Sequence, residues 1–135
     1  MTVLDAGVII GVLDADDAHH VSARVALSAA IERRDAFAVP ASVYAEALVG
    51  PSRQDASGVR ALDAFLDDLA AEVEPITRQL AKQAAALRAR HGKRLRLPDA
   101  LVLATALHLR ADRVLTTDRQ WPRVGVNVEV LSRAT

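Results

Sequence analysis

The sequence has no cysteine in 135 residues. That excludes disulfide staples and thiolate-bound zinc, and it fits a reducing, cytoplasmic setting. Aromatic residues make up only 3% of the chain while hydrophobic residues make up 51%, so any core must be aliphatic. Neither charge dominates: 17 basic residues balance 17 acidic ones, and bulk charge announces no nucleic-acid partner. Lysine is nearly missing, with Lys82 and Lys93 the only two. The longest apolar run, Val8 to Leu13, is too short to span a bilayer. No basic segment precedes the first apolar stretch, which Asp5 interrupts, so neither a signal peptide nor a membrane partner is expected. No internal repeat, low-complexity tract or long linker divides the chain, and its length suits one domain over residues 1–135.

What is present is an alternation of short apolar runs and helical patterns. Thr2 to Asp5 reads as a buried strand. Ala6 to Leu13 reads as a short helix, with Val8, Ile9, Val12 and Leu13 on one face. Asp14 to Asp17 breaks it and offers a cap to the next helix, about His19 to Arg34. The apolar face of that helix is expected to be Val21, Val25, Leu27, Ala29 and Ile31. Phe37 to Val39 is a second strand. Ser42 to Val49 is a helix that Gly50-Pro51 should end. Val59, Leu62, Phe65, Leu66 and Leu69 mark an amphipathic helix. Val73 to Ile76 is a strand that Pro75 assigns to an edge. Thr77 caps a helix that Gly92 stops, and Pro98 opens another, Asp99 to Leu109. Val114 to Thr116 and Val126 to Leu131 supply two more strands. Apolar strands separated by helices predict an α/β fold with a parallel sheet covered on both faces. The order 3-2-1-4-5 would set strand 1 beside strand 4, so that Asp5 and Asp118 meet at a switch point.

Four carboxylates then fall at the carboxyl edge of that sheet: Asp5, Glu46, Asp99 and Asp118. Each has an ordinary alternative. Asp5 suits a helix N-cap, Asp99 a first-turn acid favoured by the helix dipole, and Asp118 a turn. Glu46, among Val43, Tyr44, Ala45, Ala47, Leu48 and Val49, lies either on an exposed stripe or in a pocket held by a cation. Together the four would repel unless a hard cation neutralised them, which suggests Mg²⁺ or Mn²⁺. A basic stretch, Arg88, Arg90, His91, Lys93, Arg94 and Arg96, precedes Asp99, and Arg119 and Arg123 follow Asp118. These could track a phosphate backbone or form a solvated helix end. His19 and His20 beside Asp14, Asp16 and Asp17 are read as capping neighbours rather than a second metal site. No histidine is expected at the acidic edge, so no histidine base is assigned. Trp121 is read as a packing residue.

The segments Val3-Leu4-Asp5-Ala6-Gly7, Glu46 after the second strand, Leu97-Pro98-Asp99-Ala100 and Leu115-Thr116-Thr117-Asp118 resemble those of the PIN domain. Within it they are most similar to the toxin ribonucleases of type II toxin–antitoxin pairs, the VapC group. The resemblance implies catalytic roles for Asp5, Glu46, Asp99 and Asp118, metal ligation by Asp5, Asp99 and Asp118, and a supporting hydroxyl at Thr116. It also implies an RNA substrate, a cognate antitoxin protein and a homodimer. A metal-activated water would hydrolyse the phosphodiester, and a single-stranded or looped RNA would suit it best. The chain departs from the pattern at Gly7, where many members carry serine or threonine; this removes a possible polar ligand. Two other readings are an inactive PIN-like RNA- or protein-binding module and a haloacid-dehalogenase-like phosphatase. The second wants an aspartate where Gly7 stands, and a phosphate-facing lysine.

Overall fold

The computed structural model describes residues 1–134. Its elements run β1 (Thr2–Leu4), α1 (Ala6–Leu13), α2 (His20–Glu32), β2 (Phe37–Pro40), α3 (Ala41–Gln54), α4 (Ala56–Asp68), β3 (Glu72–Glu74), α5 (Arg78–His91), α6 (Leu97–Leu109), β4 (Arg113–Thr116) and β5 (Val128–Val130), with a 3-10 turn over Gly92–Arg94. The strands form one parallel sheet in the order β3-β2-β1-β4-β5, the order expected. β1 and β2 are buried along their whole length, as strands covered on both faces must be. The edge strands carry glutamates, Glu72 and Glu74 in β3 and Glu129 in β5, and charge on an edge resists pairing with another chain.

Helices α1 to α4 build one aliphatic cluster with β1, β2 and β4, centred on Leu4, Ile9, Val39, Leu62 and Leu115. Helices α5 and α6 build a second through Leu80, Ala84, Leu87, Leu95, Leu103 and Ala104. Trp121 packs against both. Thr77 Oγ1 accepts the Leu80 amide at 3.1 Å, and Gly92 closes α5 at φ +59°. The left-handed turn there is one that glycine adopts without strain.

Three local expectations are corrected. Gly50-Pro51 does not end α3, which continues to Gln54. Gly50 does not turn left-handed, and Pro51 is held against α4, where a Cβ on Gly58 would lie 3.2 Å from the Pro51 ring. The aspartates of the α1–α2 connection cap their own turns, not α2: Asp14 accepts the Asp16 amide and Asp17 the His19 amide. The third correction concerns α2, which buries Ala23, Ala26, Leu27 and Ala30 and leaves Val21 at 69%, Val25 at 65% and Ile31 at 50% exposure. Gly11 of α1 decides this. A Cβ there would come within 3.3 Å of Ala23, so the two helices meet along their smallest residues. Val21→Ser and Val25→Ser should therefore each shift stability by less than about 0.5 kcal/mol in denaturant titrations; a larger loss would show that this face is covered.

Candidate active site

The register of the two central strands builds the site. Leu4 lies opposite Leu115, and the Asp5 amide donates to the Leu115 carbonyl at 3.0 Å. Asp5 and Thr116 therefore leave the sheet side by side. Asp5 Oδ1 accepts the Ala6 amide at 2.8 Å, so the aspartate does cap α1. Its other oxygen accepts the Thr116 hydroxyl at 2.7 Å. Thr116 is fully buried, and its Oγ1 also accepts the Asp118 amide at 3.1 Å. One hydroxyl thus ties two of the four acids together. Asp118 Oδ1 caps its own turn by accepting the Gln120 amide at 2.8 Å.

Asp99 sits in the first turn of α6, and Arg96 Nε lies 3.7 Å from its Oδ2. Glu46 lies on α3 with its side chain exposed, at the rim of an apolar cleft of ≈ 510 Å³ lined by Ile9, Ile10, Leu13 and Ala47. Of the two positions expected for it, the exposed one is found.

The four acids feel one another. Burial pushes the Asp5 carboxyl above the usual carboxylate range; Glu46 and Asp118 add repulsion, while the Thr116 and Ala6 hydrogen bonds oppose the rise. Burial also raises Asp99, with repulsion from Asp5 and Asp118, and Arg96 acts against it. Each of the four acids is therefore an electrostatic neighbour of at least one other. Among the described residues, however, no three or more acid, histidine or cysteine side chains are placed so that they could hold a metal ion. The donor set nevertheless suits a hard cation: every candidate ligand is a carboxylate or hydroxyl oxygen, and mutual repulsion is what a cation would relieve.

Of the basic candidates, Arg90, Lys93, Arg94, Arg96, Arg119 and Arg123 are exposed and Arg88 is half-buried. Among these candidates Arg96 is paired with an acid of the edge, a contact that neither sequence reading of this stretch, phosphate-tracking or solvated helix end, anticipated. Since the Arg96 side chain is 78% exposed, the pair is screened by solvent. Arg96→Ala should cost less than about 1 kcal/mol, yet move the Asp99 carboxyl further up, read by NMR as a titration midpoint at higher pH. An unchanged midpoint would remove Arg96 from the site. His19 lies 3.5 Å from Asp17, and His20 Nδ1 contacts the Gly11 carbonyl at 2.7 Å, both in the α1–α2 region.

Gly7 has a close neighbour that the sequence does not show. A Cβ at this position would overlap Thr117 Oγ1 and lie 3.2 Å from its Cγ2. The side chain of Thr117, the residue just after β4, occupies the space beside Gly7.

The PIN-domain family model matches residues 2–127. The chain belongs to the PIN-domain family. This PIN domain is also similar to solved toxin–antitoxin structures. A toxin–antitoxin complex from Klebsiella pneumoniae superposes with a TM-score of 0.71 at 21% identity, covering 93% of both chains. VapBC2 from Rickettsia felis, bound to a DNA fragment from its promoter, gives 0.77 at 18% identity over 97% of this chain and 98% of the other. Mycobacterium tuberculosis VapC20, described as a sarcin–ricin loop cleaving toxin, gives 0.68 at 19% identity over 84% and 87%. At these identities the likeness is one of fold. Comparison with curated proteins gave no match. Among the described residues, no helix of this PIN domain is long and apolar enough to cross a membrane.

Proposed function

We propose that this PIN domain is a divalent-cation-dependent endoribonuclease, the VapC-type toxin of a type II toxin–antitoxin pair. The observation that carries this reading is the electrostatic cluster of Asp5, Glu46, Asp99 and Asp118, in which burial and repulsion raise the Asp5 and Asp99 carboxyls. A fold spends stability to hold acids in this way mainly at functional sites.

Asp5, Asp99 and Asp118 would hold Mg²⁺ or Mn²⁺. When bound, the cation would activate water and offset charge developing on the phosphate. The chain's own residues do the rest. Thr116 fixes one Asp5 oxygen by donating to it and leaves the carboxylate a single orientation. Glu46, exposed at the rim, adds negative field at Asp5. Arg96 and Arg119 flank Asp99 and Asp118 in the chain, and with Arg88, Arg90, Lys93 and Arg94 they are the candidates for backbone phosphate contact. RNA as the substrate, rather than DNA, rests on the likeness to the VapC group, which includes a neighbour described as cleaving the sarcin–ricin loop. An antitoxin partner rests on the toxin–antitoxin complexes among the neighbours.

The experiment is cleavage of an RNA pool in Mn²⁺ and in EDTA by the wild type and by Asp99→Asn. Cleavage by the wild type in Mn²⁺ alone supports the reading. Equal cleavage by both proteins, or cleavage that survives EDTA, overturns it.

A further inference from the structure

Helix α2 turns Ala23, Ala26, Leu27 and Ala30 to the core. At about 3.6 residues per turn, the stripe opposite that face is Val21, Val25, Ser28 and Glu32. All four are exposed, the valines at 69% and 65%, and Ile31 beside them is half exposed. A single exposed valine is ordinary. A row of apolar side chains on one outward helix face, rimmed by charge, marks a protein–protein surface.

The charges on this face are ordered. Arg24, Ser28 and Glu32 stand four residues apart on one ridge of the helix, which therefore reads positive, small, negative. Arg24 and Glu32 are about 12 Å apart along the axis, too far to pair with each other. Among the described residues neither has an ion-pair partner in the chain. Turned end for end, the same ridge reads negative, small, positive. A twofold axis through Ser28 sets Arg24 opposite Glu32 of a second copy, and Glu32 opposite that copy's Arg24. It also sets Val25 opposite Ile31. At the axis Ser28 meets its own twin with Ala29 alongside, and side chains this small let two helices approach closely. A shallow notch at this place is lined by Arg24, Val25, Ser28, Ala29 and Glu32.

We propose that α2 is a self-association surface: two copies of the chain pair antiparallel across Ser28, with two Arg24–Glu32 ion pairs flanking an apolar contact. This is an isologous arrangement, in which each copy gives and receives the same contacts. It follows from residues of α2 alone and is independent of the nuclease reading above. A helix of 13 residues offers less than the about 800 Å² per partner of a standard interface, so the pairing is weak and concentration-dependent. In dilute solution the chain is released from it, and substitutions at Val21 or Val25 cost the fold little there.

Two measurements on the full chain test the pairing. Because the chain has no cysteine, Ser28→Cys carries a single thiol, on the axis. Mild oxidation should link it to its twin, since helices in close contact bring axial Cα atoms within the about 7 Å that a disulfide spans. Val21→Cys is the control: it is exposed on the same stripe, but its twin lies about 21 Å away along the axis, and it should stay unlinked. Sedimentation equilibrium reads the charges. Arg24→Glu and Glu32→Arg should each weaken self-association by about tenfold or more, because each sets like charges opposite one another twice over. The double variant, and an equimolar mixture of the two single variants, should recover wild-type association. Melting temperatures at high dilution should change little in any of them, the substituted side chains being exposed. Equal cross-linking at positions 28 and 21, wild-type association in Arg24→Glu, or a mixture that associates no better than its components would overturn the proposal. So would a wild type that is monomeric at every concentration, which would leave this face to a different protein.

Discussion

Asp99→Asn will lower RNA cleavage by about 10²–10³-fold and, at neutral pH, make the protein more resistant to heat. The two effects share one cause. Burial and the charges of Asp5 and Asp118 hold the Asp99 carboxyl above its ordinary range. A carboxyl whose folded pKa lies above its unfolded value keeps its proton better in the folded state. Its ionisation therefore costs stability as pH rises through the folded value, and costs nothing below the unfolded one. Asparagine has no such charge, so the variant should melt higher than the wild type at neutral pH. The gain should fade as pH falls through the carboxylate range. Mn²⁺ should reverse the ranking by raising the wild-type melting temperature while leaving that of Asp99→Asn nearly unmoved, because a ligand stabilises only the state that binds it. Thermal melts at neutral and acid pH, with and without Mn²⁺, check all three signs. A variant less stable than the wild type at neutral pH would mean that Asp99 holds the fold together through some other contact.

Thr116→Val is expected to be the second large effect. The hydroxyl it deletes donates to Asp5 and accepts from the Asp118 amide, so one substitution leaves two groups short of a partner in a fully buried position. The expected loss is about 1–3 kcal/mol of stability, with cleavage reduced by about 10- to 100-fold because a residue that orients a ligand is gone. The Thr116 bond also lowers the Asp5 carboxyl; without it the acidic limb of the pH–rate profile should move to higher pH, since Asp5 must be ionised to act. Thr105→Val is the control. Thr105 is as deeply buried, but its hydroxyl only back-bonds the Leu101 carbonyl within α6, at 2.7 Å. A similar loss in both variants would reduce Thr116 to an ordinary buried hydroxyl.

Much of this architecture is legible in the chain. Apolar runs such as Phe37 to Val39 and Val114 to Thr116 hold no alternation, and only a strand covered on both faces can afford that. β3 is an edge strand as Pro75 implied, although it spans Glu72–Glu74 rather than Val73 to Ile76 and ends just before the proline. Local signals at Thr77, Gly92 and Pro98 act within one helical turn and were read correctly because nothing distant competes with them. Asp5 shows why the alternatives at the site stayed open: it is a helix cap and a member of the acidic cluster at once, each carboxylate oxygen serving one role.

Distant contacts decided the rest. Which face of α2 is buried depended on Gly11 meeting Ala23, a contact between two helices that hydrophobicity along either one does not encode. Pro51 continues α3 because Gly58 of another helix receives it. The composition and order of residues by themselves determined an aliphatic α/β sheet with four acids at one edge, because strand period, caps and crossover geometry are short-range and recur without regard to context. That the Thr116 hydroxyl joins Asp5 to Asp118, and that Thr117 fills the space beside Gly7, only the tertiary structure decided. Those contacts arise from the register of β1 against β4, which places side by side residues more than a hundred positions apart.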